Sequence, residues 1–185
     1  MRIVSGKLRA RKLECPADAP TRPMADRPRQ ALFNVLDHGK LAEGGNPYIG
    51  EHVLDAFAGT GALGIEALSR GAQFATFLDL DTRAVEINIK NLSLQNQAVI
   101  FRADATKPPL AQESAALIFL APPYRQGLIE PAFTALQAKN WFKKNALIVA
   151  EWAKDEVTPA LENADMLDQR SYGLVQIGFF RFNAA

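Results

Sequence analysis

A chain of 185 residues, 48% hydrophobic and 22% charged, suits one domain with a sizeable core. No apolar run is long enough to cross a bilayer, no signal-peptide core opens the chain, and the single Cys15 excludes an internal disulfide framework, so a cytoplasmic protein is expected. The net charge of +1 conceals a split: residues 1–30 carry eight Lys/Arg against three acids, which is +5, and leave −4 for the rest.

Residues 1–25 read as short strands and loops, broken at Pro16, Pro20 and Pro23. Their apolar alternation (Ile3, Val4, Leu8, Leu13) argues against a solvated tail. A basic arm on a near-neutral body points to a polyanionic partner, most simply nucleic acid. Asp26 is placed to cap a helix, Pro28 fits its first turn, and Ala31, Leu32, Val35 and Leu36 form its apolar stripe up to Gly39. The expected division is a basic extension over 1–25 and a main domain over 26–185, with Leu41 to Gly50 as a loop.

From His52 the chain alternates. Strands are expected near 52–57, 74–79, 98–102, 116–121 and 145–151, and helices near 61–70, 82–94, 128–138 and 155–163. This order predicts an α/β fold, a doubly wound, mostly parallel sheet with helices on both faces. Runs at 166–172 and 174–182 meet at Tyr172-Gly173 and predict an antiparallel C-terminal hairpin. His38 and His52 show no metal-ligand spacing and are expected at helix ends or the surface; no metal is expected.

Ligands of an open parallel sheet bind beyond the carboxyl ends of its strands. The first strand supplies Asp55, Phe57 and the turn Gly59-Thr60-Gly61, from which a helix leaves. Asp79 ends the second strand, 20 residues after Gly59, where a carboxylate accepts from ribose hydroxyls. Asp104 follows the third strand and either accepts from an adenine amine or caps a turn. Gly59, Gly61 and Gly64 also spell the nicotinamide fingerprint, so a NAD-dependent oxidoreductase is one reading. Asp55 argues against it, because its charge repels a pyrophosphate and attracts the cationic amino-acid end of S-adenosylmethionine. The fourth strand ends in Ala121-Pro122-Pro123-Tyr124, a rigid loop with bare carbonyls and an aromatic ring that suits a flat base. The alternative is a plain Pro-Pro loop with Tyr124 packed on the core.

Several segments together resemble a known family. They are Met1-Arg2-Ile3-Val4-Ser5-Gly6-Lys7-Leu8-Arg9, Arg11-Lys12-Leu13, Thr21-Arg22-Pro23, Asp26-Arg27-x-Arg29, Ala31-Leu32-Phe33-Asn34, the Asp55-x-Phe57-x-Gly59-x-Gly61 block and the Pro-Pro-Tyr loop. The chain resembles the bacterial 16S rRNA guanine-N2 methyltransferases (RsmD-like), a class I S-adenosylmethionine-dependent family. The resemblance implies a seven-stranded methyltransferase sheet with a small N-terminal β-rich extension that helps hold RNA. It implies S-adenosylmethionine on Asp55, Phe57, Gly59, Thr60, Gly61, Asp79 and Asp104, and catalysis around Ala121, Pro122, Pro123 and Tyr124. Arg9, Arg11, Arg22, Arg27 and Arg29 are expected to hold phosphates of ribosomal RNA or a small-subunit assembly intermediate, and a monomer is expected.

The chain departs from the family pattern at Met24-Ala25, Pro28, Gln30 and, above all, Ala121, where Asp or Asn is usual. A guanine N2 amine is a poor nucleophile and needs an acceptor to orient it. Loss of one such bond costs roughly 1.5–3 kcal/mol, or ten- to a hundred-fold in rate. Catalytic competence is therefore open, and a cofactor- and RNA-binding protein with weak catalysis stands as the alternative.

Overall fold

The computed structural model describes residues 1–15, 24–38, 41 and 45–183. The apolar runs join in one sheet of seven strands: β1 (His52–Asp55), β2 (Phe74–Asp79), β3 (Ala98–Arg102), β4 (Ala115–Leu120), β5 (Phe142–Ala153), β6 (Ala164–Tyr172) and β7 (Val175–Phe182), in the order β3-β2-β1-β4-β5-β7-β6. β1 to β5 run parallel, and β7 runs antiparallel to both β5 and β6. This is the expected mostly parallel sheet with its C-terminal hairpin. β1 is buried throughout and β4 nearly so, which explains why the central strands read as near-continuous apolar runs.

One helix is buried almost all round, from Ala62 to Ser69, and the others bury one stripe each. α1 (Asp26–His38), α2 (Ala62–Arg70) and α3 (Arg83–Asn91) cover one face, where Phe33, Leu36, Ile65, Leu68, Val85 and Ile89 meet Val53, Phe77, Phe119 and Val149. α4 (Ile129–Ala138) covers the other, where Ile129, Phe133 and Leu136 join Leu54, Ile118, Ile148 and Phe180. Gly71 closes α2 in a left-handed conformation and returns its N–H to Ala67 and Leu68.

Residues 1–15 belong to the first face. Ile3 and Leu13 enter its core, and the described part of this segment holds turns and one isolated antiparallel bridge, Arg2 with Lys12. Glu66, buried in α2, fixes the segment by accepting the N–H groups of Val4 (2.8 Å) and Ser5 (2.9 Å). Ser69 accepts from Leu8 through its hydroxyl and from Lys7 through its carbonyl. Arg29 of α1 lies beside Glu66, and Asp37, further along α1, pairs with Arg70, further along α2. The two helices thus descend together, and α1 begins on the side where the glycine turn lies.

Two expectations are corrected. Residues 155–163 form turns and extended chain, not a helix. Pro159 offers no N–H, the Ala160 N–H goes to the Glu130 side chain, and Glu156 spends its carboxylate on the N–H groups of Arg125 and Ala153. His52 is buried at the start of β1, with Nε2 2.9 Å from the Thr76 hydroxyl; burial lowers its pKa. His38 ends α1 and is exposed, as expected. Gly39 lies outside the described residues. At the sheet edge, β6 carries a bulge at Leu167, between the pairs Met166–Phe180 and Asp168–Phe179.

Candidate active site

The strand order reverses between β1 and β4, since the chain builds outward from β1 to β3 and then returns to β4. A ligand cleft in such a sheet opens at that reversal, beyond the carboxyl ends. Asp55 closes β1 and pairs in register with Phe119 of β4, so the glycine turn and the Ala121–Tyr124 loop leave neighbouring strands.

Within the turn, Gly59 has φ 53° and its missing Cβ would meet nothing within 4 Å, so its backbone is open to an incoming group. Gly61 has φ 76°, and a Cβ there would lie 2.7 Å from Val85. Asp79, half-buried, shapes the turn: one oxygen accepts the Gly59 N–H at 2.7 Å and the other accepts the Asp81 N–H at 2.9 Å. An ionised carboxylate has lone pairs left for further donors. Asp55 is fully buried and accepts the Gly64 N–H at 2.9 Å. Burial pushes its carboxyl up to about 7, the Gly64 N–H opposes this, and the charge of Asp79 adds to it. A buried acid kept from ionising in this way gains by the arrival of a cation.

Thr60 is buried, and its hydroxyl has no partner among the described residues. Phe57 is half-buried against the core under α4. Asp104 uses one oxygen to accept from the Thr106 N–H (2.8 Å) and hydroxyl (2.7 Å), bonds that hold its carboxyl below the usual range. It is thus a turn cap with its second oxygen uncommitted by those bonds. Asp81 accepts the Arg83 N–H at 3.2 Å at the start of α3.

On the β4 side, Ala121 and Pro123 are half-buried, Pro122 is buried and Tyr124 is exposed. The Tyr124 hydroxyl donates to Glu151 near the end of β5. The loop is clamped one residue later: the Arg125 N–H donates to Glu156 at 2.8 Å, and its guanidinium pairs with Asp155 at 3.0 Å.

The basic arm divides. Arg9 and Arg27 are exposed, and exposed Arg11 lends one N–H to the Asn91 carbonyl. Arg22 lies outside the described residues. Arg29 is not free for phosphate: it is fully buried, pairs with Asp26 at 2.9 Å, and donates to the carbonyls of Met24 and Arg2. A charge reading of the sequence counts Arg29 with the others; its partners, 37 residues away at Glu66 and 27 away at Arg2, decide otherwise.

Sequence reasoning missed three residues. Glu66 sits inside the glycine-turn helix and reads as a helix-surface acid. Asn88 of α3 is buried, accepts the Glu14 N–H at 2.7 Å, and donates to the carbonyls of Glu14 (3.0 Å) and Thr60 (2.9 Å). It ties the arm to the glycine turn. Glu151 had a signal, an acid closing the apolar run Ala146 to Ala150 in the fifth strand.

A family model described as "Conserved hypothetical protein 95" matches residues 1–181. Ribosomal RNA small subunit methyltransferase D of Haemophilus influenzae is 37% identical over 189 residues, 98% of this chain and 93% of the relative. The chain belongs to this family. The Escherichia coli protein of the same name is 37% identical over 155 residues, 82% of this chain and 74% of the relative. Among solved structures, yhhF of Escherichia coli is 32% identical, with a TM-score of 0.80 over 100% of this chain and 99% of that one. The N-methyltransferase NodS of Bradyrhizobium japonicum, solved with S-adenosyl-L-homocysteine, shares the fold at 13% identity, with a TM-score of 0.67 over 92% of this chain and 93% of its own. Among the described residues no helix is long and apolar enough to cross a membrane, and no cluster of three metal-ligating side chains occurs.

Proposed function

We propose that this chain transfers a methyl group from S-adenosylmethionine to the exocyclic N2 of a guanine in small-subunit ribosomal RNA. The methyltransferase class and its cofactor follow from the family; the guanine amine is the finer reading. The observation that carries it is the meeting, at the β1/β4 reversal, of an acid-flanked glycine turn with a Pro-Pro-Tyr loop.

The residues present suit that cofactor. Gly59 leaves space over the turn, Thr60 stands next to it in the turn, Asp79 offers lone pairs to ribose hydroxyls, and Asp104 has an oxygen for an adenine amine. Asp55 offers a buried negative charge to a cationic amino-acid end. When bound, S-adenosylmethionine supplies an electrophilic methyl on a sulfonium. The chain's own contribution is proximity and orientation. Tyr124 stacks on the flipped base, the Pro122 carbonyl accepts from its amine, and the prolines keep the loop from collapsing. Arg9, Arg11 and Arg27 hold phosphates, and Arg27 at the start of α1 lies on the side of the cleft. In this reading the substrate is ribosomal RNA or an assembling small subunit, the compartment is the cytoplasm, and the protein acts as a monomer.

Ala121 favours a second reading, a protein that binds cofactor and RNA with weak catalysis. The deciding experiment incubates the protein with labelled S-adenosylmethionine and 16S rRNA or immature small subunits, then digests the RNA and identifies the methylated nucleoside by mass spectrometry. N2-methylguanosine is expected. Label on any other nucleoside refutes the guanine-N2 reading, and cofactor and RNA bound without transfer select the second.

A further inference from the structure

The last pair between β4 and β5 is Leu120 with Ala150, so Ala121 and Glu151 follow one step beyond on adjacent parallel strands. Side chains at matching positions of neighbouring strands point to the same face, about 4.8 Å apart. Ala121 packs on the core beneath α1 and α2, and Glu151 alternates with Val149 of that core and pairs with Ile177 of it. A carboxylate thus stands beside the position where the usual family acid is missing. Glu151 is 6% exposed, Oε1 accepts the Tyr124 hydroxyl, and Oε2 is buried with no partner among the described residues. A buried carboxylate oxygen without a donor costs free energy that a bound N–H recovers.

We propose that Glu151 is the acceptor for the target amine, taking from β5 the role that a side chain at position 121 would take from β4. This rests on the guanine-N2 reading. The Tyr124 hydroxyl fixes one oxygen of Glu151, and the other orients the amine. The amine begins with two N–H bonds and ends with one N–H and one N–CH3. Its lone pair forms the N–C bond, the C–S electron pair stays on sulfur, and the displaced proton passes to Oε2. Burial raises the Glu151 pKa, which suits a group that must take up a proton.

Single-turnover methyl transfer at saturating cofactor and RNA tests this, with S-adenosylhomocysteine affinity measured by calorimetry. Glu151→Gln is expected to lower the rate about 100-fold and to leave that affinity within about two-fold, far short of a lost bond. Adding Ala121→Asp to Glu151→Gln should recover at least ten-fold. An unchanged rate in Glu151→Gln overturns the proposal, as does an equal fall in rate and cofactor affinity, the mark of a structural role. If Glu151→Gln fails to fold, Tyr124→Phe decides: it keeps the ring but frees the carboxylate, so a several-fold slower rate supports the proposal and an unchanged rate overturns it. A wild-type protein that transfers methyl to a base other than guanine N2 removes the reading beneath, an outcome distinct from any variant's behaviour.

Discussion

The two faces of the sheet are stabilised differently. Under α4 the core is almost wholly apolar, with Phe133, Phe142 and Phe182 in mutual ring contact. Under α1 and α2 a charged network is sunk beside the core: Arg29, Glu66, Arg70 and Asp37, with Arg70 also lying 4.8 Å over the Phe33 ring. The apolar face tolerates any packing that fills its volume. The charged face accepts one docking of the arm and α1, because each buried charge must meet its partner. The same face carries the inward sides of Ala121 and Glu151, so placement of the arm and placement of the chemistry share one framework.

The largest effect should come from breaking that network. Glu66→Ala takes one carboxylate partner from each of two buried guanidinium groups, strands two backbone N–H groups and should cost about 3–5 kcal/mol in urea unfolding. Phe133→Leu, on the opposite face, should cost less, about 1–2 kcal/mol. Equal losses would erase the distinction between the faces.

Next comes Asp55, which faces α2 from the end of β1. The folded state keeps its proton to about pH 7, whereas an unfolded Asp loses it near pH 4. Between those values folding takes up a proton, so this group's contribution to stability declines as pH rises from about 4 through about 7. Asp55→Asn keeps an acceptor for Gly64 and removes the decline. Its stability relative to wild type should grow by roughly 2–4 kcal/mol from pH 4 to pH 8, read from unfolding curves at both values. A constant difference would mean that Asp55 ionises freely in the fold.

Asp79→Ala should weaken S-adenosylhomocysteine binding by about 1–3 kcal/mol in calorimetry. It removes the ribose acceptor and frees the Gly59 N–H together. If NADH binds and S-adenosylhomocysteine does not, the cofactor assignment fails.

The smallest effect distinguishes solvated from buried arginines. Arg9→Ala and Arg11→Ala should each lower the salt slope of RNA binding by about 0.7–0.9 and leave the fold intact. Arg29→Ala should behave like Glu66→Ala and lower stability instead. An Arg29→Ala protein that folds normally and binds RNA with a smaller slope would return Arg29 to the phosphate-binding set.

The sheet was legible because its strands are short apolar runs punctuated by Gly, Pro and acids, and all seven strand centres follow from that rhythm alone; β5 begins earlier than expected, because Phe142 to Asn145 join the strand ahead of the apolar stretch. The glycine turn was legible for a related reason: its chemistry is local, within Asp55 to Gly64. What escaped depends on distance. Glu66 is read by Val4 and Ser5, Asn88 by Glu14, and Glu151 by Tyr124, partners 27 to 74 residues apart that only the topology brings together. The absent helix at 155–163 failed for the same cause, since the distant Glu130 takes the Ala160 N–H that a helical turn would have used.

The bulge at Leu167 bears on how the molecule behaves in a crowd. β6 is an outer strand, and Met166 and Leu167 are both exposed on it. A smooth outer strand with such residues would offer an unbroken row of donors and acceptors to a neighbour's β6. The extra residue at Leu167 throws that row out of step midway, and the charges of Asp165, Asp168 and Arg170 flank the break. A second strand that begins to zip along β6 loses registry within a few residues, so the edge resists edge-to-edge growth into aggregates while the pairs on either side of the bulge hold β6 to β7.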